Sequence, residues 1–344
     1  REPLRYLAVR YSLPEWLAEY WLEEYGREIT TAMAAGLMEI HPVSLRFCSG
    51  LSTEEIGELV NKMEKTGAVL RESPYLPRIR LLEHGDNISA MPGFPEGKWT
   101  VQDVSSALAV ELAGIRETDF VMDVCAAPGG KSLLAAEKAD RVLCRDVSGE
   151  KTALIQENIA RMGAKNMEIQ IRDARCFDEA CADKADVVLL DVPCSGLGVM
   201  GRKRDIKHRV DREGIKSLIA LQREIVGVCS RYVKPGGTLL YSTCTVNPEE
   251  NEEMVRFITG ELGLIPVSLE AMLPPLLLKQ KKETEALRSR QGKDHGLTEE
   301  ARGACIQLLP GYMEADGFFI AKFSRPGEMR AESTEGTNGE KEGY

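Results

Sequence analysis

Histidine is scarce in this chain, with four in 344 residues, and none of the nine cysteines stands in a Cys-x-x-Cys pair. Structural zinc sites draw on closely spaced Cys and His, so no metal is expected. No run of 18 apolar residues occurs, which argues against a transmembrane helix. The opening "REPLRYLAVRYSLPEW" lacks the apolar core of a signal peptide. It also lacks an initiator Met, and the chain reads as a piece of a longer one. Odd, scattered cysteines fit a reducing, cytoplasmic setting better than a disulfide framework. No internal repeat or coiled-coil pattern suggests an oligomer, so a monomer is expected. Positive charge is short as well: 44 Lys and Arg face 54 Asp and Glu, a net charge of −10. Phosphate contacts supply much of the affinity of nucleic-acid binders, so this balance taken alone argues against such a partner. One segment runs the other way. "GRKRDIKHRVDR", residues 201–212, holds six Lys and Arg against two Asp. On its own, such a run is a solvated helix face.

What remains is an ordinary globular composition, 43% apolar and 28% charged, in a chain long enough for one large domain and a small one. Residues 1–98 read as a small α+β unit. "LPEWLAEYWLEEYG" has helical spacing, "HPVSLRFC" suits a short strand, and "STEEIGELVNKMEKTG" opens with a capping box of Ser52 and Glu55 and closes at Gly67. From residue 99 to 326 strands and helices alternate. "DFVMDVCA", "RVLCRD", "NMEIQIRD", "ADVVLLDVP" and "TLLYSTC" are strands, and helices lie between them. Alternation of this kind predicts a doubly wound parallel sheet, an α/β Rossmann-like domain with its ligands beyond the carboxyl ends of the strands. Residues 275–303 are polar and charged and read as a long surface insertion. Residues 327–344 read as a disordered tail.

The strand ends carry the chemistry. "DVCAAPGGKS" is a strand, a small-residue loop and a helix start, but neither G-x-G-x-x-G nor a P-loop. The helix start favours an anionic group such as a carboxylate. Asp146 ends the second strand, where a carboxylate commonly bonds ribose hydroxyls, and Asp173 ends the third, within reach of an adenine edge. The set suits an adenosine-bearing ligand. Two cysteines end two further strands, Cys194 in "VVLLDVPCSGLG" and Cys244 in "LLYSTCTVNPEEN". Each by itself is a packing cysteine by default. Together with Asp191 they fit a thiolate-driven methylation of cytosine C5, which needs a nucleophile for C6, an acidic group near N3 and N4, and a group that aids release. Asn247 as N-cap, Pro248 at N1 and Glu250 at N3 predict a helix start just past Cys244, whose positive end would help lower the thiol pKa.

"DVCAAPGGK", "DVPCSGLG" and "YSTCTVNPEEN" together resemble the RNA cytosine-C5 methyltransferases of the NOL1/NOP2/Sun (NSUN) family, and the likeness extends over roughly residues 5–325. Within it, "MPGFPEGKWTVQD", "RDIKHRVDREGIKSLIALQREI" and "DGFFIAKF" are most similar to the bacterial branch that acts on 16S rRNA. The resemblance implies a class I S-adenosylmethionine-dependent catalytic domain, with residues 1–98 as an RNA-binding subdomain. Cys125, Ala126, Ala127, Pro128, Gly129, Gly130 and Lys131 would line the methionine part of S-adenosylmethionine. Asp146 would hold the ribose, Asp173 the adenine, and Asp191 would lie between cofactor and base. Cys244 would be the nucleophile and Cys194 would aid product release. Arg202, Lys203, Arg204, Lys207 and Arg209 would then face RNA phosphates. The pattern departs from the family at Arg204, at Arg172 and in the charged stretch near 280–300. Members of that branch usually also carry a NusB-like helical domain, and residues 1–98 show none. Other RNA targets, such as tRNA or another rRNA site, and a non-catalytic RNA assembly factor are the competing readings.

Overall fold

The computed structural model describes residues 2–39, 41–290 and 296–327, so the expected tail lies outside the described residues from 328 onward. Helices α1 (Glu2–Arg10) and α2 (Glu15–Gly36) open the chain, and α2 continues across Gly26, whose φ of 68° interrupts the helical geometry. A small antiparallel sheet follows. Its strands are β1 (Val43–Phe47), then β2 (Val69–Glu72), β3 (Ile79–His84) and β4 (Trp99–Val101), in the spatial order β2-β3-β1-β4. Helix α3 (Thr53–Glu64) joins β1 to β2, and its Ser52–Glu55 capping box forms as the sequence predicts. Strand β4 pairs with β1, so the small sheet runs past the boundary expected at residue 98.

The large domain continues with α4 (Val104–Ala113), β5 (Phe120–Asp123), α5 (Gly130–Ala136), β6 (Arg141–Asp146), α6 (Gly149–Met162), β7 (Met167–Ile171) and β8 (Ala185–Asp191). After it come α7 (Ile206–Arg209), α8 (Arg212–Cys229), β9 (Val233–Thr243), α9 (Glu252–Gly260) and β10 (Ile265–Pro266). The chain closes with α10 (Pro275–Ser289), α11 (Glu299–Gly303), β11 (Cys305–Leu308) and β12 (Phe318–Ser324). The sheet order is β10-β12-β9-β8-β5-β6-β7, with β11 also paired to β12. From β7 to β9 all pairs are parallel, and β12 returns antiparallel against β9. This is a Rossmann-like sheet whose order reverses between β5 and β8, which opens a crevice at their carboxyl ends. Both faces are covered, so strands such as β8 (Ala-Asp-Val-Val-Leu-Leu-Asp) read as apolar runs rather than alternating ones.

Of the stretch expected to be a surface insertion, residues 275–289 form a packed helix, and residues 291–295 lie outside the described residues. Along α10, Leu277, Lys281, Thr284 and Arg288 are buried at helical spacing. Three of these four are polar, so a hydrophobicity pattern does not register the stripe. Arg288 reaches Glu252 at 2.7 Å, an ion pair that is close but not aligned as a hydrogen bond, and its guanidinium lies over the Tyr25 ring at 5.1 Å. Helix α2 packs in the same core as Leu197, Met200, Ile215, Val246 and Leu309. The N-terminal helices thus seal the domain behind both cysteine loops. Removing one partner of a buried ion pair leaves the other charge stranded. Arg288→Ala is therefore expected to lower stability by about 3–5 kcal/mol. Urea denaturation should show this, with much of the loss recovered when Glu252 is replaced by an apolar residue as well.

Candidate active site

The parallel strands β8 and β9 end side by side, with Asp191 in register with Ser242. That register places the two following loops next to each other, and the sulfurs of Cys194 and Cys244 lie 3.2 Å apart. All nine cysteines are free, and this separation is well outside a covalent bond. The hydrogen bond to Cys244, followed by burial, pushes the Cys194 thiol far above its ordinary pKa. Either sulfur can be the donor in this contact, and the raised pKa favours the proton on Cys194.

One buried carboxylate ties the two loops together. Glu250 accepts from Ser195 N at 2.8 Å and Ser195 Oγ at 2.5 Å, from Gln222 Nε2 at 2.9 Å and from Asn247 Nδ2 at 3.0 Å. Ser195 Oγ also meets Thr245 Oγ1 at 2.7 Å, and Gln222 donates to Pro193 O at 2.9 Å. Sequence reasoning took Glu250 for a helix N3 residue. The helix instead begins at Glu252, and residues 248–251 form turns. Asn247 makes the cap-type bond, but turns rather than a helix follow it. Asn247 accepts from Glu249 N at 3.1 Å and from the Tyr20 hydroxyl at 2.5 Å. The Tyr25 hydroxyl donates to Val246 O. The Cys194 loop needs glycine at its closest approach: a Cβ on Gly198 would sit 2.0 Å from Gly317 O. With no side chain there, Gly198 N donates to Cys244 O at 3.1 Å.

Asp191 sits beside this pair. Its Oδ2 contacts Lys131 Nζ at 2.6 Å, and its Oδ1 accepts from Ser242 Oγ at 2.9 Å. Burial works against the charge on Lys131, yet Asp191 outweighs it and raises the Lys131 pKa, with Asp123 and Cys244 adding to the effect. Lys131 also donates to Ser106 Oγ at 2.6 Å. Its ammonium therefore belongs to the Asp191 cluster, while the rest of the 125–131 loop lies toward β6. Burial pushes Asp123, beneath the loop, up to about 6. Ser132 donates to one of its oxygens at 2.6 Å, and the other has no partner.

The loop is pinned along its length. Ala126 N donates to Arg145 O, Ala127 N to Asp146 Oδ2 at 3.0 Å, and Asn158 Nδ2 to Pro128 O. Gly129 has φ +100° and leads into Gly130 at the start of α5. Cys125 is raised well above its usual pKa by burial and remains a thiol. Asp146 is 4% exposed and accepts also from Val147 N at 2.8 Å. Asp173 sits on the neighbouring strand end, held by Arg175 at 2.7 Å. Val147 and Ile171, 56% and 63% exposed, leave apolar surface beside these two acids, a feature sequence reasoning missed.

The basic segment divides. Arg202 is committed to Asp316 at 2.6 Å and to Pro42 O at 3.1 Å, so it braces the small sheet against the turn before β12 rather than standing free for phosphate. Lys207 donates to Ser12 O at 3.1 Å and Arg209 pairs with Asp205 at 3.2 Å. Lys203 and Arg204 are exposed and form no ion pair among the described residues. The charge run recorded composition, and the fold spends part of it on internal contacts.

The model of the 16S rRNA methyltransferase RsmB/F family matches residues 110–324. The ribosomal RNA small subunit methyltransferase B of Cronobacter sakazakii is 32% identical over 316 residues, 91% of this chain and 66% of that protein. The probable ribosomal RNA small subunit methyltransferase B of Bacillus subtilis is 32% identical over 337 residues, covering 95% and 69%. The chain thus spans about two thirds of the length of these relatives. The crystal structure of PH0851 superposes with a TM-score of 0.78 at 29% identity, over 94% of this chain and 68% of that one. NSun6 from Pyrococcus horikoshii with SFG superposes at 0.72 and 21% identity over 91% and 98%, a likeness of fold.

Two outcomes follow from the geometry. Glu250→Gln replaces an acceptor of four bonds with a group that must turn one donor toward other donors. A loss of about 1.5–3 kcal/mol is expected in urea denaturation, the scale of a hydrogen bond to a charged group. Of the two facing cysteines, iodoacetamide labelling followed by peptide mass mapping should modify Cys244 before Cys194, with the exposed Cys176 as the unhindered reference. Cys194 should react only at more alkaline pH, because its raised pKa keeps the thiolate scarce until then.

Proposed function

The chain belongs to the 16S rRNA methyltransferase RsmB/F family, and on that premise we propose that it methylates C5 of a cytosine in 16S rRNA through a covalent bond from Cys244 to C6. The observation that carries this reading is the 3.2 Å approach of the Cys194 and Cys244 sulfurs beside the Asp191–Lys131 pair. Bound S-adenosylmethionine would supply an electrophilic methyl group on a sulfonium. The residues present suit that group: a pinned small-residue loop running into a helix start, Asp146 and Asp173 on successive strand ends, and exposed Val147 and Ile171 to cover an adenine. NSun6 with SFG, an S-adenosylmethionine analogue, shares the fold.

The chain's own residues divide the work. The Cys244 thiolate adds to C6, and the electron pair gathers at C5, the atom to be methylated. Cys194 keeps its proton through this step and so does not compete as a nucleophile. Asp191, fixed by Lys131 and Ser242, would meet N3 and N4 of the base. Once C5 carries the methyl, a base takes the C5 proton, the C–S bond breaks and Cys244 recovers its electron pair. Cys194 acts in this release, with its sulfur already against the leaving one. The target base has to leave its stack to enter the crevice.

Mass mapping of 16S rRNA incubated with S-adenosylmethionine and the protein tests the reading. One added methyl on a cytosine is expected with the wild type and none above background with Cys244→Ala. With Cys194→Ala, a protein–RNA adduct stable to denaturation should accumulate. Methylation that survives Cys244→Ala would rule out the covalent route.

A further inference from the structure

Beside the Cys244 loop lies a cleft of about 160 Å³ that the proposed chemistry does not use. Trp16 and Tyr20 form one wall, one helical turn apart on α2, and Arg212 and Lys216 form another, one turn apart on α8. Asn247 and Glu249 close it from the catalytic loop itself. Trp21 and Trp99 are fully buried, whereas Trp16 is half-buried with part of its ring open to the cleft. The Tyr20 ring is fixed by its hydroxyl bond to Asn247 at 2.5 Å. Arg212 makes no ion pair among the described residues, and Lys216 has only Glu213 at 3.9 Å there, with both of those side chains highly exposed.

Glu249 is the residue that most needs explaining. Its backbone N–H is used by Asn247, but its half-buried carboxyl group has no hydrogen-bond or ion-pair partner among the described residues. Burial, with Glu253, Glu24 and Glu250 nearby, raises its pKa, and the positive charge of Arg212 across the cleft partly offsets them. A partly desolvated acceptor of this kind is satisfied by a donor brought from outside.

We propose that this cleft holds a guanine nucleotide of the substrate RNA next to the target cytosine, its base against Trp16 and Tyr20, its Watson–Crick N–H groups on Glu249 and its phosphate by Arg212 and Lys216. The proposal rests on the RNA methyltransferase reading and names a second subsite for it. Stacking on aromatic rings and cations along the backbone are how single-stranded RNA is held. Glu249 adds selectivity. A carboxylate only accepts, and guanine alone presents two adjacent donors, N1–H and the N2 amine, to its two oxygens. Adenine and cytosine set a ring acceptor beside their single amine, and uracil sets carbonyls beside its one N–H. The position follows from the chain: Glu249 is five residues past Cys244, on the same loop.

The test uses a 16S rRNA transcript spanning the mapped cytosine, with each flanking guanosine replaced in turn by inosine or adenosine. On the guanosine RNA, Glu249→Gln and Trp16→Ala should each raise KM about tenfold, the scale of one lost base contact. Trp16→Phe, which keeps a ring, should stay near wild type. On the adenosine RNA the penalty of Glu249→Gln should vanish, and inosine should fall between. RNA should quench the fluorescence of the wild-type protein but not of Trp16→Phe, since the other two tryptophans are buried. Arg212→Ala should flatten the dependence of log affinity on log salt by about 0.7, one phosphate contact on a single strand. A target with no flanking guanosine, or equal Glu249→Gln effects on all three RNAs, would overturn the proposal. Quenching without methylation would keep the cleft and sink the proposed reaction instead, and methylation without quenching would do the reverse.

Discussion

Four donors from three separate segments converge on the side chain of Glu250, which has no exposure to solvent. Ser195 brings the Cys194 loop, Asn247 the Cys244 loop, and Gln222 the middle of α8. A buried acceptor this well supplied is worth more than the sum of its bonds, because each partner is also positioned by another. Ser195 holds Thr245, Gln222 holds Pro193, and the Tyr241 hydroxyl donates to Glu250 O at 2.7 Å. The 3.2 Å spacing of the two sulfurs depends on this knot. Two loops joined only by hydrophobic contact would lack the directionality to hold it.

Around the knot the protein is built in shells that do different physical work. The parallel sheet sets the register of Asp191 with Ser242 and brings the strand ends level. Close glycine packing of Gly198 on Gly317 lets the Cys194 loop lie flat against the last strand's entry. From outside, α2 presses on the Cys244 loop through two tyrosine hydroxyls, and α10 anchors that helix through Arg288 over Tyr25 and against Glu252. The segment that reads as a separate N-terminal unit is thus two things: a helical pair that completes the catalytic domain, and a small sheet with a core of its own around Phe47, Ile56 and Trp99.

Sequence reasoning succeeded where local rules and tertiary structure agree. The strand–helix alternation, the Ser52 capping box and the ordered acids at strand ends reflect near-neighbour physics, and each appears as expected. It failed where a residue type serves an unusual purpose. Asn247, Pro248 and Glu250 have the spacing of a helix start, yet Asn247 and Glu250 are drawn into long-range bonds and the helix begins at Glu252. Lys281, Thr284 and Arg288 look like solvent-facing polar residues, yet they form the buried stripe of α10. Arg202, expected at RNA phosphates, has an internal partner in Asp316 that its own segment does not announce. In each case the partner lies far along the chain, and no window of sequence contains it.

By itself, then, the sequence determined the class of fold, the order of its elements and the set of groups available for chemistry, because periodicity, caps and strand-end residues are local properties. The resemblance of its three motifs to known methyltransferases attached roles to those groups. Only the tertiary structure decided which of them meet. Cys194 and Cys244 are fifty residues apart in the chain and 3.2 Å apart in space, and what sets that distance is the hydrogen-bond geometry of a buried carboxylate that sequence reading had assigned to a helix end. Distances of this kind follow from packing many segments at once, and protonation follows from those distances. That is why the meeting of two like thiols, and the rise it brings to the Cys194 pKa, could be seen only once their surroundings were known.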